Sequence, residues 1–338
     1  MSYPVIKRVS LYNVKENLSK IKTLVGSKTK VFAVVKANAY GHGIIGVSNA
    51  VYSMVDGFCV SLVKEALDLR FSGIDKEILL LTPIDENYLE RLIEKDITLT
   101  ITSKRDAILL DGICSGLKKR AKVHIKLNTG MNRLGISSVY ELNEVLSIAR
   151  RNNFIITGVY SHLGDAKNKK YANFQRENFI KLSSYILDEY PTVTMHLSSS
   201  AGILLGEKFY FDMVRVGLSL YGYTPFETNL LTLSPAMKVY AKTLLVREKI
   251  KSERLLYGSK KYRFDKVTLL RVGYADGFFR SGDQILPPRC MDLSVVLGAH
   301  FENYYCVMDN AQSLAKKYKT IPYEILTQFG SRAEIIYE

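Results

Sequence analysis

The sequence has little cysteine and no long apolar run. Its four cysteines, at positions 59, 114, 290 and 306, lie far apart without CxxC or metal-ligand spacing, so neither a disulfide framework nor a metal site is predicted. No apolar stretch approaches the roughly 20 residues that span a bilayer. Charged residues also interrupt the first 20 positions, which predicts no signal-peptide core. These absences predict a soluble, cytoplasmic protein.

Acidic residues are scarce relative to basic ones. The 338 residues include 47 Lys and Arg against 33 Asp and Glu, which gives a formal net charge of +14. Such a field attracts nucleic acid, but it also attracts small anions. The lysines are spread along the chain, and their densest clusters are short, as in GLKKRAK at 116–122. We therefore expect a small-molecule substrate, with no nucleic acid or membrane partner.

Eight short apolar runs recur between residues 31 and 218, and segments with helical period separate them. In ENYLERLIEKD, for example, Leu89, Leu92 and Ile93 share one helical face. This repeat predicts an α/β fold, a (β/α)8 TIM-type barrel, because near-continuous apolar strands suit a parallel sheet covered on its outside. A doubly wound open sheet is the alternative. The runs begin at Val31, Phe58, Ile78, Ile97, Val123, Ile155, Thr194 and Met213.

After residue 227 the pattern changes to alternation, which is typical of a half-buried strand. The first such segment is AMKVYAKTLLVREK, and similar runs follow at 266–272 and 293–297. We expect a barrel domain over 1–227 and a mostly antiparallel β domain over 228–338, with one late helix in NAQSLAKKY. The extreme N-terminal strand is a candidate for packing with the second domain. The alternating residues expected on one side are Met237, Val239, Ala241, Thr243 and Leu245.

Polar side chains stand at the ends of several predicted barrel strands. Reactive groups of such barrels lie at the carboxyl ends of the strands, so a ring of these side chains around one mouth is expected. Taken singly, a strand histidine is more often a satisfied core residue, and Arg133 would also suit a helix cap. Lys36 is different, because a buried amine is costly unless it is paired, deprotonated or made into an imine. The other members are Lys126, Asn128, His162, His196 and Arg215.

The stretch AVVKANAYGHG, residues 33–43, resembles the cofactor-attachment segment of alanine racemases. Seven further stretches resemble signatures of that family in the same order, and together they cover nearly the whole chain. The resemblance implies a pyridoxal phosphate enzyme that interconverts L- and D-alanine and supplies D-alanine for peptidoglycan. The seven are DGFCVSLVKEALDLRFSG (56–73), IKLNTGMNRLG (125–135), GVYSHLGDA (158–166), FDMVRVGLSLYG (211–222), RVGYADG (271–277), CMD (290–292) and IPYEIL (321–326).

The resemblance also implies catalytic and cofactor-binding roles. Lys36 would attach pyridoxal phosphate covalently, and Arg215 would donate to the pyridine nitrogen, which keeps the ring a weaker electron sink. Lys36 and Tyr274 would be the two catalytic bases, with Tyr274 supplied by the other subunit of a homodimer. A chain from Tyr274 through His162 to Arg215 would favour the phenolate. The other implied cofactor-binding residues are Tyr40, Ser200, Gly217, Leu218 and Tyr323.

The same resemblance implies a substrate-binding group. Arg133 matches the arginine that binds the substrate carboxylate. Met291, which binds substrate, and Asp292, at the entrance, would come from the partner subunit. Lys126 matches a lysine that is often carbamylated, a change that would make it an anion able to orient Arg133. Without that change the two cations would repel each other.

Several positions depart from the family pattern. Asn128 stands where aspartate is more usual, Ser199 where asparagine is expected, and Pro288 where an arginine is typical; the segment 293–310 is also short. These departures affect the entrance and the dimer more than the chemistry. A serine racemase of the same fold is one alternative function. A non-catalytic pyridoxal phosphate carrier is another, although such carriers lack a second β domain.

Overall fold

Eight parallel strands follow one another along the chain and form a barrel. The computed structural model describes residues 3–248, 254–258, 261–279 and 289–338. A short first strand, β1, lies outside this barrel. In chain order the strands are β1 (Val5–Val9), β2 (Lys30–Val34), β3 (Gly57–Val60), β4 (Glu77–Leu80), β5 (Leu99–Ile101), β6 (Ala121–Lys126), β7 (Phe154–Tyr160), β8 (Thr194–His196) and β9 (Met213–Val216).

The barrel is closed by two bridges between four-stranded halves. One half has the order β4-β3-β2-β9 and the other β5-β6-β7-β8. Parallel bridges from Leu79 to Thr98 and from Ser199 to Arg215 join them. Each predicted apolar run supplies one strand, so the barrel prediction is confirmed and the open sheet is excluded.

Helices cover the outside of the barrel, as the periodicity predicts. The predicted apolar face of ENYLERLIEKD is buried. Several helices begin at a Ser or Asn whose side chain accepts a backbone amide, as Ser103 does from Asp106. Among the described residues, no helix is long and apolar enough to cross a membrane. The helices are α1 (Leu11–Val25), α2 (Lys36–Tyr40), α3 (Ile44–Val51), α4 (Val63–Phe71), α5 (Leu89–Glu94), α6 (Lys104–Leu117), α7 (Val139–Ala149), α8 (Lys169–Leu187) and α9 (Ser200–Ile203).

A second sheet follows the barrel and takes in the N-terminal strand. Its order is β12-β11-β10-β1-β14, with β13 also paired to β10. All of its pairs are antiparallel except β1 with β14. The domain bounds 1–227 and 228–338 stay a prediction. The elements are β10 (Met237–Glu248), β11 (Lys266–Leu270), β12 (Ser294–Leu297), β13 (Tyr304–Met308), α10 (Ala311–Tyr318), α11 (Pro322–Gln328) and β14 (Glu334–Tyr337).

Two details of this second domain differ from the sequence prediction. The alternation along β10 buries Met237, Val239 and Ala241, but a register shift between Thr243 and Leu245 ends it, and Leu245 is 43% exposed. A bulge of this kind moves later side chains to the other face. The domain also has two late helices rather than one, because IPYEIL begins α11 with a proline at its first position, where proline is favoured.

An aromatic cluster joins the end of the chain to the turn that carries Tyr274. The Phe329 ring lies 4.3 Å from Phe278, 5.6 Å from Phe279 and 6.0 Å from Tyr318, measured between ring centroids. Such aromatic pairs stabilise beyond the apolar area they bury. The cluster therefore fixes α10 and α11 against the segment after Tyr274.

Replacing the central ring of this cluster should destabilise the protein. Phe329 is fully buried, so Phe329→Ala should lower the free energy of unfolding by about 3–5 kcal/mol through lost contacts and a cavity. Urea denaturation measures this loss. The matched control is Phe301→Ala, whose ring is 79% exposed and should cost no more than about 0.5 kcal/mol. Equal effects of the two changes would contradict the cluster's role.

Candidate active site

Immediately after β2 the backbone forms a left-handed turn. Residues Ala37 to Tyr40 have φ values of 50° to 54°, a left-handed conformation. For residues with a side chain this conformation costs roughly 1–2 kcal/mol each. Four in succession persist only if the surroundings hold them. The turn places Lys36 at its start and Tyr40 at its end.

Glu65 holds the start of this turn. Its carboxylate accepts hydrogen bonds from the Ala37 amide at 2.6 Å and from the amides of Ser61 and Leu62 at 3.0 Å. The side chain is buried. Sequence reasoning gave Glu65 no role, because the capping-box pattern needs a Ser or Thr three residues earlier and Leu62 stands there. Here the Glu65 carboxylate caps its own helix at Leu62 and also accepts from the Ala37 amide of the left-handed turn.

Lys7 holds the end of the turn. This buried lysine of β1 donates to the Gly41 carbonyl at 3.1 Å, and burial lowers the pKa of Lys7 to about 8. Nothing in the sequence marks Lys7, because its strand is short and its partner is 34 residues away. His42 is buried beside the turn, and its ring stacks on Tyr221 with the ring centroids 4.5 Å apart.

Four cations meet at the mouth of the barrel. Burial lowers the pKa of Lys36, and the positive charges of Arg133 and Arg215 lower it further. Burial, Arg133, Arg215 and Lys36 together lower the pKa of Lys126 to about 8. Burial and the same neighbouring cations hold the pKa of His162 well below its ordinary value. The structure thus brings these predicted site residues together.

Arg215 is the fixed centre of this group. It is buried on β9, and Nη2 donates to the carbonyls of Ser161 at 2.7 Å and Leu197 at 3.2 Å. The same nitrogen lies 3.5 Å from Nδ1 of His162. Nη1 donates to Nδ1 of His196 at 2.5 Å. These bonds fix the plane of the guanidinium.

A cradle of donors lies beside the turn. The Ser200 hydroxyl oxygen accepts from the amides of Gly217 and Ser219 at 3.2 Å, so its own proton is free for another acceptor. The buried Ser219 hydroxyl has no hydrogen-bond partner among the described residues. A Cβ on Gly217 would lie 2.8 Å from the Tyr40 hydroxyl, so only glycine allows this approach.

Two more predicted residues complete the cradle. The Tyr323 ring, from α11, lies 5.8 Å from the Tyr40 ring. Leu218 is buried at the start of the short helical turn Leu218–Tyr221. Amides and hydroxyls that converge in this way suit a phosphate. The predicted phosphate-binding residues are therefore adjacent in space.

Tyr274 stands on a separate, braced turn of the second domain. Its amide donates to the Cys290 carbonyl at 3.2 Å, which ties it to the segment of Met291 and Asp292. Arg332 bridges Asp276 at 2.9 Å and Asp292 at 2.8 Å. Sequence reasoning missed Arg332, because its partners lie 56 and 40 residues away.

The predicted relay from Tyr274 to His162 is not formed within one chain. The Tyr274 side chain is 40% exposed. Among the described residues of the single chain, no hydrogen bond joins it to His162 or Arg215. Met291 and Asp292 are exposed beside it. These three residues form an outward-facing group rather than part of the chain's own barrel mouth.

Comparison with known proteins places this arrangement in a family. The sequence-family model for the alanine racemase N-terminal domain matches residues 9–225 of this chain. The alanine racemase of Methanococcus maripaludis is 31% identical over 374 residues, which cover 100% of this chain and 99% of that protein. The chain belongs to the alanine racemase family.

Solved alanine racemases share the whole fold. The enzyme from Clostridium difficile has a TM-score of 0.94 at 28% identity, over 100% of this chain and 96% of that chain. The Bartonella henselae enzyme, solved with covalently bound pyridoxal phosphate, has a TM-score of 0.88 at 26% identity over 100% of both chains. The predicted family, barrel-plus-β-domain fold, racemase activity and pyridoxal phosphate cofactor are confirmed. The roles of individual residues stay predictions.

One departure from the alanine racemase pattern, Asn128, has a local explanation. Asn128 accepts hydrogen bonds from the amides of Gly130 at 3.3 Å and Asn132 at 2.9 Å, so it caps its own loop as an aspartate would. Ser199 precedes α9 and bridges to Arg215 through its backbone. Pro288 lies outside the described residues.

Proposed function

We propose that this chain interconverts L- and D-alanine as a cytoplasmic homodimer with pyridoxal phosphate attached to Lys36, and that it supplies D-alanine for peptidoglycan. The observation that carries the proposal is a half-buried lysine of lowered pKa that starts the turn ending at Tyr40 and lies within electrostatic range of the fixed Arg215. A second β domain, with Tyr274 on its surface, argues against a non-catalytic carrier.

The residues at the mouth fit pyridoxal phosphate. Ser200, Gly217, Leu218, Tyr40 and Tyr323 would hold the phosphate, and the unpartnered Ser219 hydroxyl in the same cradle would gain an acceptor. A Lys36 amine of lowered pKa is neutral at lower pH than an ordinary lysine, so it can form the covalent bond. When bound, pyridoxal phosphate acidifies the Cα–H of an attached amino acid by accepting electron density.

Arg215 would set how much electron density the ring accepts. A guanidinium has only donors and stays protonated, so it can only donate to the pyridine nitrogen. The hydrogen bonds to Ser161, Leu197 and His196 leave it little freedom to turn away. Keeping the nitrogen unprotonated favours return of the proton to Cα over side reactions such as transamination.

Racemisation requires a proton-transfer group on each face of Cα, because one base on one face returns the same enantiomer. Lys36 would serve one face. Tyr274 of a second subunit would serve the other, since it faces outward on its own chain. Its turn is braced by Arg332, which suits a base that must be held at a fixed distance. Once the subunits meet, His162 and Arg215 would favour the Tyr274 phenolate.

Arg133 would bind the substrate carboxylate at the same mouth. Its guanidinium is exposed there, and no carboxylate among the described residues is paired with it. Lys126 is buried next to it, with its ammonium 5.3 Å from the Tyr160 ring centroid. Carbamylation of Lys126 would replace a repulsion with an attraction and orient Arg133. The partner's Met291 and Asp292 would then border the entrance.

The proposed reaction is tested by following the optical rotation of L-alanine and L-serine with purified protein and pyridoxal phosphate. We expect fast loss with alanine and slow loss with serine. Lys36→Ala should abolish both the covalent cofactor mass and the reaction, while Lys64→Ala, a change of an exposed lysine, should alter neither. Comparable rates with serine would move the function to serine racemisation. Activity in Lys36→Ala would overturn the assignment of that lysine.

Tyr274→Phe tests the division of labour between the two bases. Loss of a general base lowers the rate by about 100-fold or more. We expect that loss for solvent exchange of the Cα hydrogen of L-alanine and a much smaller one for D-alanine, both read by proton NMR in D₂O. Tyr140→Phe, at a tyrosine that is 73% exposed on α7, is the matched control. Equal slowing of both enantiomers would contradict the two-base assignment.

Carbamylation of Lys126 should depend on pH. Only the neutral amine adds to CO₂, releasing a proton, and a pKa of about 8 makes the neutral form abundant above that pH. In ¹³C-bicarbonate we expect a carbamate resonance that is stronger at a pH above 8 than at a pH below it. The Lys126→Arg variant keeps a cation but cannot form this carbamate. The same resonance in that variant would rule out Lys126 as its source.

A further inference from the structure

A line of polar side chains crosses the barrel interior behind Arg215. Nη1 of Arg215 lies 2.5 Å from Nδ1 of His196, and Nε2 of His196 lies 2.8 Å from Nδ1 of His124. Nε2 of His124 lies 3.4 Å from a carboxylate oxygen of Glu77. Four different strands, β9, β8, β6 and β4, supply these side chains. The line therefore starts at the proposed cofactor site and ends at a carboxylate.

The two hydrogen bonds that join Arg215, His196 and His124 have one possible direction. Arg215 only donates, so Nδ1 of His196 must accept. An imidazole that accepts at Nδ1 is neutral and carries its proton on Nε2. That proton points to Nδ1 of His124, which must also accept, so His124 carries its proton on the nitrogen that faces Glu77. Both hydrogen bonds therefore run away from Arg215, toward the nitrogen of His124 that lies 3.4 Å from the Glu77 carboxylate.

The line also compensates a buried charge. Arg215 is 3% exposed, and among the described residues no carboxylate contacts it. Burial of an unpaired charge is costly. Besides the backbone carbonyls that accept from Arg215, two oriented imidazole dipoles directed toward Glu77 compensate this charge. Although burial raises it, contact with His124 brings the pKa of Glu77 below its ordinary value, as expected of a carboxylate kept ionised.

Packing keeps the middle of the line rigid. The Tyr160 ring stacks on His196 with centroids 4.8 Å apart and planes 9° from parallel. The Arg215 guanidinium carbon lies 5.1 Å from the same ring centroid. Besides His196, including its carbonyl at 3.3 Å, no hydrogen-bond partner of Nη1 is found in the described part of the chain. His196 therefore supplies both acceptors of this arm, while the carbonyls of Ser161 and Leu197 hold Nη2.

We propose that Glu77, His124 and His196 are positioning residues for Arg215, which hold its guanidinium in the orientation that keeps the cofactor's ring nitrogen unprotonated. The inference rests on the proposed function. Its consequence concerns the balance between two reactions of alanine. If Arg215 were free to turn, the ring would accept more electron density, and transamination would compete with racemisation.

The test measures the ratio of pyruvate formed to alanine racemised by the cofactor-loaded enzyme. In the side reaction the amino group of alanine moves to the cofactor, the α-carbon becomes the ketone of pyruvate, and the cofactor aldehyde is reduced to the amine. A merely structural defect lowers both reactions and leaves their ratio unchanged. His196→Leu removes the side-chain acceptor of Nη1, leaves only the backbone carbonyl at 3.3 Å, and should raise the ratio about tenfold, which corresponds to about 1.4 kcal/mol between the two barriers.

Two further variants separate the contributions. His196→Asn returns an acceptor oxygen close to the position of Nδ1 and should give a smaller rise than His196→Leu. Glu77→Gln keeps the shape of the carboxylate but removes its charge and should raise the ratio about threefold, a small free-energy difference. His300→Leu, at a partly exposed histidine of the second domain, is the control and should leave the ratio unchanged.

A second readout needs no substrate. The visible absorbance of the bound cofactor should shift in His196→Leu and Glu77→Gln and stay unchanged in His300→Leu. If the His196→Leu variant does not bind cofactor, the product ratio and absorbance of the Glu77→Gln variant test the proposal on their own. An unchanged ratio and spectrum in variants that retain cofactor, beside an active wild type, would overturn the positioning line. Absence of racemisation in the wild type would instead overturn the proposed function.

Discussion

The hydrogen bonds that the Glu65 carboxylate accepts from the Ala37 amide and from the amides of the neighbouring loop are the constraint on which the site depends. Lys36 and Tyr40 lie at the two ends of one left-handed turn, so the position of each depends on a conformation that its own residues disfavour. A glutamate that would otherwise cap only its own helix supplies part of the compensating energy. Glu65, on the helix that follows β3, thus offsets part of the strain in the turn that follows β2.

The second domain supplies contacts that hold the left-handed turn at the barrel mouth. At Gly41, where the turn ends, a Cβ would lie 2.3 Å from the Leu326 carbonyl, so α11 packs directly on the turn. The same helix brings Tyr323 to Tyr40. Lys7 reaches the turn from β1, a strand that precedes the barrel in sequence but pairs with β10 of the second sheet. Each domain therefore holds residues that the other's geometry requires.

Sequence patterns predicted the secondary-structure elements better than the contacts between them. Periodicity reports burial, and it identified all eight barrel strands and the buried face that includes Leu92. It could not foresee the bulge beside Leu245, which depends on pairing with β11. Arg332 and His124 were missed for a similar reason, since their partners are distant in the chain and neither residue has a local pattern. The resemblance to a family named Lys36, Arg215 and Tyr274, but it carried no information on what holds them.

The cations at the barrel mouth repel one another, and bound anions would relieve that repulsion. The charges of Arg133 and Arg215 lower the pKa of both Lys36 and Lys126. Within the described residues, none of these four side chains forms an ion pair. Glu65, the nearest carboxylate that acts on Lys36, is committed to backbone amides. Like charges in a partly buried mouth cost free energy until anions enter. Under the proposed roles, a phosphate beside the turn, a substrate carboxylate on Arg133 and a carbamate on Lys126 would each neutralise part of this positive charge.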